Sequence, residues 1–115
     1  MKNSMEIFYN AQKKALIVSL KTALDHHSAK DIRKTIDLYF ADTNARHIVF
    51  DLSELEFMDS AGLGLIMGRY KFISPIGGKV MLAGVSRETD KLLKLSGIYN
   101  IAQRSDSVSD ALKLL

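Results

Sequence analysis

The stretch HIVFDLSELEFMDSAGLG, His47 to Gly64, decides how the rest of the chain is read. Its first part, His47-Ile48-Val49-Phe50-Asp51-Leu52, is a short and nearly continuous β-branched and aromatic run, the composition of an interior strand. Its last part opens a helix from about Ser60 to Ile73, with Leu63, Ile66, Met67, Tyr70 and Ile73 on one stripe. Ser74-Pro75-Ile76-Gly77-Gly78 closes that helix, because proline cannot continue it and paired glycines favour a turn. A strand handing over to a helix in this way is the building unit of an α/β fold.

Working outward toward the N-terminus, Met5-Glu6-Ile7-Phe8-Tyr9 and Ala15-Leu16-Ile17-Val18-Ser19-Leu20 read as two strands joined by the polar turn Asn10 to Lys14. Ser28 is a candidate helix cap with Asp31 three residues on, and Ile32, Ile36, Tyr39 and Phe40 follow at helical spacing. Toward the C-terminus, Lys79-Val80-Met81-Leu82-Ala83-Gly84 is a second buried strand. Ser86 caps a third helix through Leu92, Leu93 and Leu95, which Gly97 stops. Ile98 to Ala102 is expected as a short edge strand, and Ser107 caps a final helix carrying Val108, Ala111, Leu112 and Leu115. The pattern predicts one α/β domain over residues 1–115. Its sheet is mixed and of about four to five strands: an N-terminal antiparallel hairpin, then parallel βαβ units with about four helices.

Composition narrows the chemistry. A chain of 115 residues with 47% hydrophobic and 25% charged residues fits a single globular domain that needs no metal or disulfide to hold a core. Cysteine is absent, which removes thiolate nucleophiles, disulfides and cysteine-based metal sites. No apolar run reaches the roughly 18 residues of a transmembrane helix, and MKNSMEIFYN makes a poor signal peptide, so a cytoplasmic location is expected. The net charge is +3, but the sixteen basic residues are dispersed, with no basic run longer than a pair such as Lys13-Lys14. A nucleic-acid footprint wants a stripe or cluster of cations, so neither nucleic acid nor membrane is expected as a partner.

The enzyme signatures fail one by one. Gly62-Leu63-Gly64-Leu65-Ile66-Met67-Gly68 has G-x-G-x-x-x-G spacing, set well beyond the strand end, and Ala83-Gly84 stands where a ribose-binding acid belongs. Gly77-Gly78-Lys79 lacks the first glycine and the hydroxyl residue of a phosphate-binding P-loop. His26 and His27 are adjacent, and in an extended segment they would point apart, so no shared metal is expected. No serine sits in a G-x-S-x-G elbow, and no carboxylate pair forms a catalytic frame. No catalytic residue, cofactor or metal is expected.

Ser60 is the exception. Asp59 or Ser60 can cap the helix, yet a cap leaves Gly62 and Gly64 unexplained, since glycine costs about 1 kcal/mol against alanine inside a helix. Bare positions at 62 and 64 would open the helix mouth to another backbone or to an anion. A phosphate on Ser60 would meet the positive end of the helix and add about −1.5 to −2 charge beside Asp59.

FMDSAGLG in this strand–helix setting resembles the STAS domains of bacterial anti-sigma factor antagonists. Leu24-Asp25-His26-His27, Arg46-His47-Ile48-Val49, Gly68-Arg69-Tyr70-Lys71 and Leu95-Ser96-Gly97 are similar to those of the sporulation stage II type found in endospore-forming bacteria. The resemblance spans nearly the whole chain. It implies an unphosphorylated form that binds an anti-sigma factor serine kinase carrying an adenine nucleotide, and so releases a sigma factor. It further implies phosphorylation on Ser60 that ends the binding, a serine phosphatase that restores it, and a monomer when alone. Asp25, Met58, Asp59, Ser60, Gly62 and Leu63 are the partner-binding residues it implies. The alternative is a stand-alone STAS module of another partner-switching, transport or lipid-trafficking complex. Two departures stand out: Thr22-Ala23 replaces the usual Gly-Glu before Leu-Asp, and Ala61 leaves no second serine after Ser60.

Overall fold

The computed structural model describes residues 5–115; Met1 to Ser4, and with them the first residues of the signal-peptide reading, lie outside the described residues. Strands β1 (Met5–Asn10) and β2 (Ala15–Leu20) form the expected antiparallel hairpin, and Asn10 Oδ1 accepts the Lys13 amide at 2.9 Å across the turn. Then come β3 (Thr22–Leu24), α1 (Ala29–Asp42), β4 (His47–Asp51), β5 (Leu55–Met58) and α2 (Ser60–Ile73). A 3₁₀ turn at Ser74–Ile76 leads to β6 (Val80–Ala83) and α3 (Arg87–Ser96). A second 3₁₀ turn at Ile98–Asn100 leads to β7 (Ala102–Ser105) and α4 (Val108–Lys113).

The main sheet has the order β1-β2-β4-β6-β7, antiparallel only at the hairpin and parallel from β2 onward. Strands β4 and β6 are apolar on both faces, as strands covered from both sides must be. Ile48, Phe50, Val80 and Leu82 face one layer, where they meet Ile32 and Ile36 of α1, Leu65, Ile66 and Ile73 of α2, and Leu93 of α3. Val49, Met81 and Ala83 face the other, where Ala111 of α4 covers them with Val108, Leu112 and Leu115 at its edge. The mixed α/β fold with four helices is therefore the one the sequence predicts.

Three local expectations fail, each for a physical reason. The edge strand begins at Ala102 rather than Ile98. Gly97 takes a left-handed φ of 79°, and the tight turn after it drives Ile98 into the core at 1% exposure. The stripe on α2 is rotated: Gly62, Leu65, Ile66, Arg69 and Ile73 are buried, while Met67 is 40% exposed. Helix α2 is apolar nearly all round, so periodicity alone leaves its phase open. Ser28 precedes α1 but caps none of its amides. Its Oγ accepts the Asp25 N–H at 3.0 Å and donates to the Ala23 carbonyl at 3.1 Å, fastening the turn before the helix.

A separate two-stranded sheet, β3 with β5, was not anticipated from the sequence. The strands run parallel, pairing Ala23 with Phe57 and Leu24 with Met58 after a register shift at Thr22. Thr22 has φ of +66°, a conformation costly for a β-branched residue.

Candidate switch site at the start of helix α2

Because Leu24 pairs with Met58, the residues that follow each strand, Asp25 and Asp59, emerge side by side. Asp59 is the cap of α2. Its Oδ1 accepts the Ala61 N–H at 2.9 Å, and its carbonyl receives the Gly62 N–H at 3.0 Å. Its other oxygen, Oδ2, accepts the His26 N–H at 3.2 Å, while the Asp59 N–H donates to the Leu24 carbonyl at 3.3 Å. One residue thus fastens the head of α2 to the turn before α1.

The Asp25 carboxylate is turned into its own loop. Oδ1 accepts from the His27 and Ser28 amides, each at 3.0 Å, and from the Ser28 hydroxyl at 3.2 Å. The Ser28 amide above all holds the Asp25 carboxyl below the usual carboxylate range, with the Ser28 hydroxyl and His27 amide adding to it against partial desolvation. The neighbouring rings of His26 and His27 meet edge to face at 5.7 Å instead of pointing apart, since this segment is a turn and not extended. No group of three or more potential metal ligands gathers among the described residues.

Ser60 is exposed as the first residue of α2, and Leu63 is half-buried one turn on. Met58 is only 8% exposed and lies beneath the turn. Gly62 is buried as well, and a Cβ there would come within 2.7 Å of both the Leu24 carbonyl oxygen and Met58 Cγ. Its bareness lets α2 close onto β3, which corrects the expectation that it keeps the helix mouth open. Gly64 does leave space, for nothing lies within 4 Å of a Cβ built there. It forms part of a groove of about 240 Å³ between α1 and α2, with Ala29, Lys30, Arg33, Ala61 and Leu65.

Phe57, 54% exposed on β5, and the cations Lys30 and Arg33 join the surroundings of Ser60 without having been expected there. Leu55 and Met58 are buried while Glu56 and Phe57 between them are exposed, a pattern that strand alternation does not produce, so the sequence carries no signal for an exposed Phe57. A larger hollow of about 700 Å³ lies at the far end of α2, against β7, with Tyr70, Lys79, Tyr99 and Arg104 on its walls.

The model of the STAS domain matches residues 7–111. The chain belongs to the STAS family. Among curated STAS relatives it is 37% identical over 109 residues to the anti-sigma F factor antagonist of Paenibacillus polymyxa, covering 95% of this chain and 93% of that one. Two solved STAS structures share the fold. One is a putative anti-sigma factor antagonist from Thermotoga maritima, with TM-score 0.85, 23% identity, and coverage of 96% and 92%. The other is the Bacillus cell fate determinant SpoIIAA in its phosphorylated form, with TM-score 0.73, 22% identity, and coverage of 96% and 99%.

Proposed function

We propose that this STAS domain is an anti-sigma factor antagonist switched by phosphorylation of Ser60. In its unphosphorylated form it binds an anti-sigma factor that is also a serine kinase, with adenine nucleotide bound, and the sigma factor held there is released. The kinase then moves the γ-phosphoryl group of ATP onto Ser60 Oγ; the hydroxyl proton is lost, ADP leaves, and the complex dissociates. A serine phosphatase hydrolyses the ester and restores the binding form. The chain is substrate and ligand here, and the chemistry belongs to its partners.

The observation that carries this reading is an exposed serine at the first position of a helix, flanked by two aspartates whose loops are stapled together through Asp59. Asp25, Asp59, Ser60 and Leu63 form the contact rim, with Met58 and Gly62 supporting it from below. A phosphate there introduces about −1.5 to −2 charge beside Asp59, enough to repel a partner that fits the neutral hydroxyl. The 37% identity to a Paenibacillus protein named anti-sigma F factor antagonist supports the same assignment.

Incubation with the cognate anti-sigma factor kinase, and ATP, is expected to add one phosphate per chain by mass spectrometry. Ser60→Ala should abolish it, and phosphate on any other residue would overturn the assignment. Calorimetry should show Ser60→Asp binding the kinase at least about tenfold more weakly than wild type, equivalent to about 1.4 kcal/mol. Equal affinities would reject the charge mechanism.

A further inference from the structure

The groove beside Ser60 has a sign. Helices α1 and α2 run side by side in the same direction, so their positive N-terminal ends converge at the groove. Along the C-terminal halves the seam is filled, by the Arg69–Asp37 ion pair and by Phe40 against Phe72. At the N-terminal halves it is empty and lined by small residues, Ala29, Ala61 and Gly64, beneath Lys30 and Arg33.

Neither Lys30 nor Arg33 enters an ion pair among the described residues. Helix α1 has no side-chain cap but carries Asp31 in its first turn, and α2 has no acid in its first turn but is capped by Asp59. The acids nearby are Asp25, Asp31 and Asp59. Asp25 and Asp59 accept from backbone amides, Asp25 from His27 and Ser28, Asp59 from Ala61 and His26, and keep their negative charge. Asp31, in the first turn of α1, is exposed, as are the two histidines of the turn. Ser60 opens the helix whose Ala61 and Gly64 line this groove, and the long side chains of Lys30 and Arg33 stand across it on α1.

We infer that Lys30 and Arg33 receive the phosphate of Ser60, so that modification both adds negative charge to the docking rim and withdraws two cations from it. The inference rests on Ser60 being the phosphorylated residue. A dianion over the groove finds an ammonium and a guanidinium on α1, a donor set that holds phosphate elsewhere in proteins. In the unmodified chain the same two cations are free to meet acidic groups of a partner. The single event at Ser60 therefore changes the local charge twice over.

The test uses full-length chain with phosphoserine installed at position 60 during synthesis, without any kinase, and follows its ³¹P signal through a pH titration. The second ionisation of the phosphate is expected about 0.5–1 unit below its ordinary value of about 6. In Lys30→Gln/Arg33→Gln it should return to about 6, while Lys34→Gln, an exposed cation of the same helix outside the groove, should leave it low. Urea midpoints of the three unmodified proteins report whether folding is retained. Identical titration of wild type and the double variant would overturn the inference, as would a Lys34→Gln shift equal to that of the double variant. A kinase that fails to label Ser60 would defeat the function proposed above and leave this measurement intact.

Discussion

At the scale of single residues, the proposed switch rests on positions where a side chain does something other than what its type suggests. Gly62 is a packing residue: adding one methyl puts it against the Leu24 carbonyl oxygen and Met58. Gly62→Ala is expected to cost about 1–3 kcal/mol in urea unfolding and to loosen the turn that carries Asp25. Gly64→Ala, which meets nothing, should stabilise the helix by about 0.5–1 kcal/mol. Thr22 holds a left-handed backbone with its hydroxyl on the Lys21 carbonyl at 2.6 Å. Thr22→Gly is expected to stabilise the fold by about 1 kcal/mol, because relief of the strained φ outweighs the added freedom of the unfolded chain. An unchanged or lower urea midpoint would show that the hydroxyl bond offsets the strain.

At the scale of elements, two joints make distinct predictions. Arg69, 8% exposed, pairs with Asp37 and lies over the Phe72 ring at 5.5 Å, so it ties α2 to α1 through charge and stacking together. Asp37→Asn leaves that guanidinium without its counter-charge and is expected to cost about 1–2 kcal/mol, discounted because Asp37 is half-exposed; Arg69→Met, which removes the charge as well, should cost less than a loss of one partner alone implies. Where β4 meets β6, His47 Nδ1 accepts the Lys79 N–H at 2.9 Å. Burial, then Arg46 and Lys79, push the His47 imidazole below its ordinary range. The unfolded chain therefore takes up this proton first, so His47's contribution is complete above about pH 6.5 and declines as the pH falls through that value. Urea midpoints at pH 7.5 and about 5.5 should differ more for wild type than for His47→Gln.

The elements also show what the sequence could and could not reveal. Strands β2, β4 and β6 and helices α1 and α3 were legible because each couples a clear hydrophobic period to capping or stop residues nearby in the chain. Asp59 and Ser60 were legible for the same reason, since helix-cap chemistry acts over two or three residues. The β3–β5 pair escaped because strands of three and four residues carry too little periodicity, and their pairing is a long-range contact. The purpose of Gly62 escaped with it, for the atom that demands glycine belongs to Leu24. Asp25 was placed near Ser60 by resemblance, and its actual tether, through the His26 amide to Asp59, lies in geometry alone.

At the scale of the whole molecule, the rim around Ser60 stands apart from the main sheet. The five-stranded sheet is covered on both faces, whereas β3 and β5 form a small ladder at its margin. Amide exchange should be slowest in β4 and β6 and clearly faster in β3 and β5, as expected for a unit that opens without global unfolding. Equal protection across both sheets would show that the switch and the core open as one.

The hydrogen bond from the His26 amide to Asp59 joins residues 33 positions apart. During synthesis the chain emerges N-terminus first, so Asp25 leaves the ribosome well before Ser60, and the two are strangers until β3 and β5 pair. A partner that needs both loops at once has nothing to grasp on a nascent or misfolded chain. Under the proposed function, pairing of β3 with β5 must therefore precede any partner binding that uses both loops.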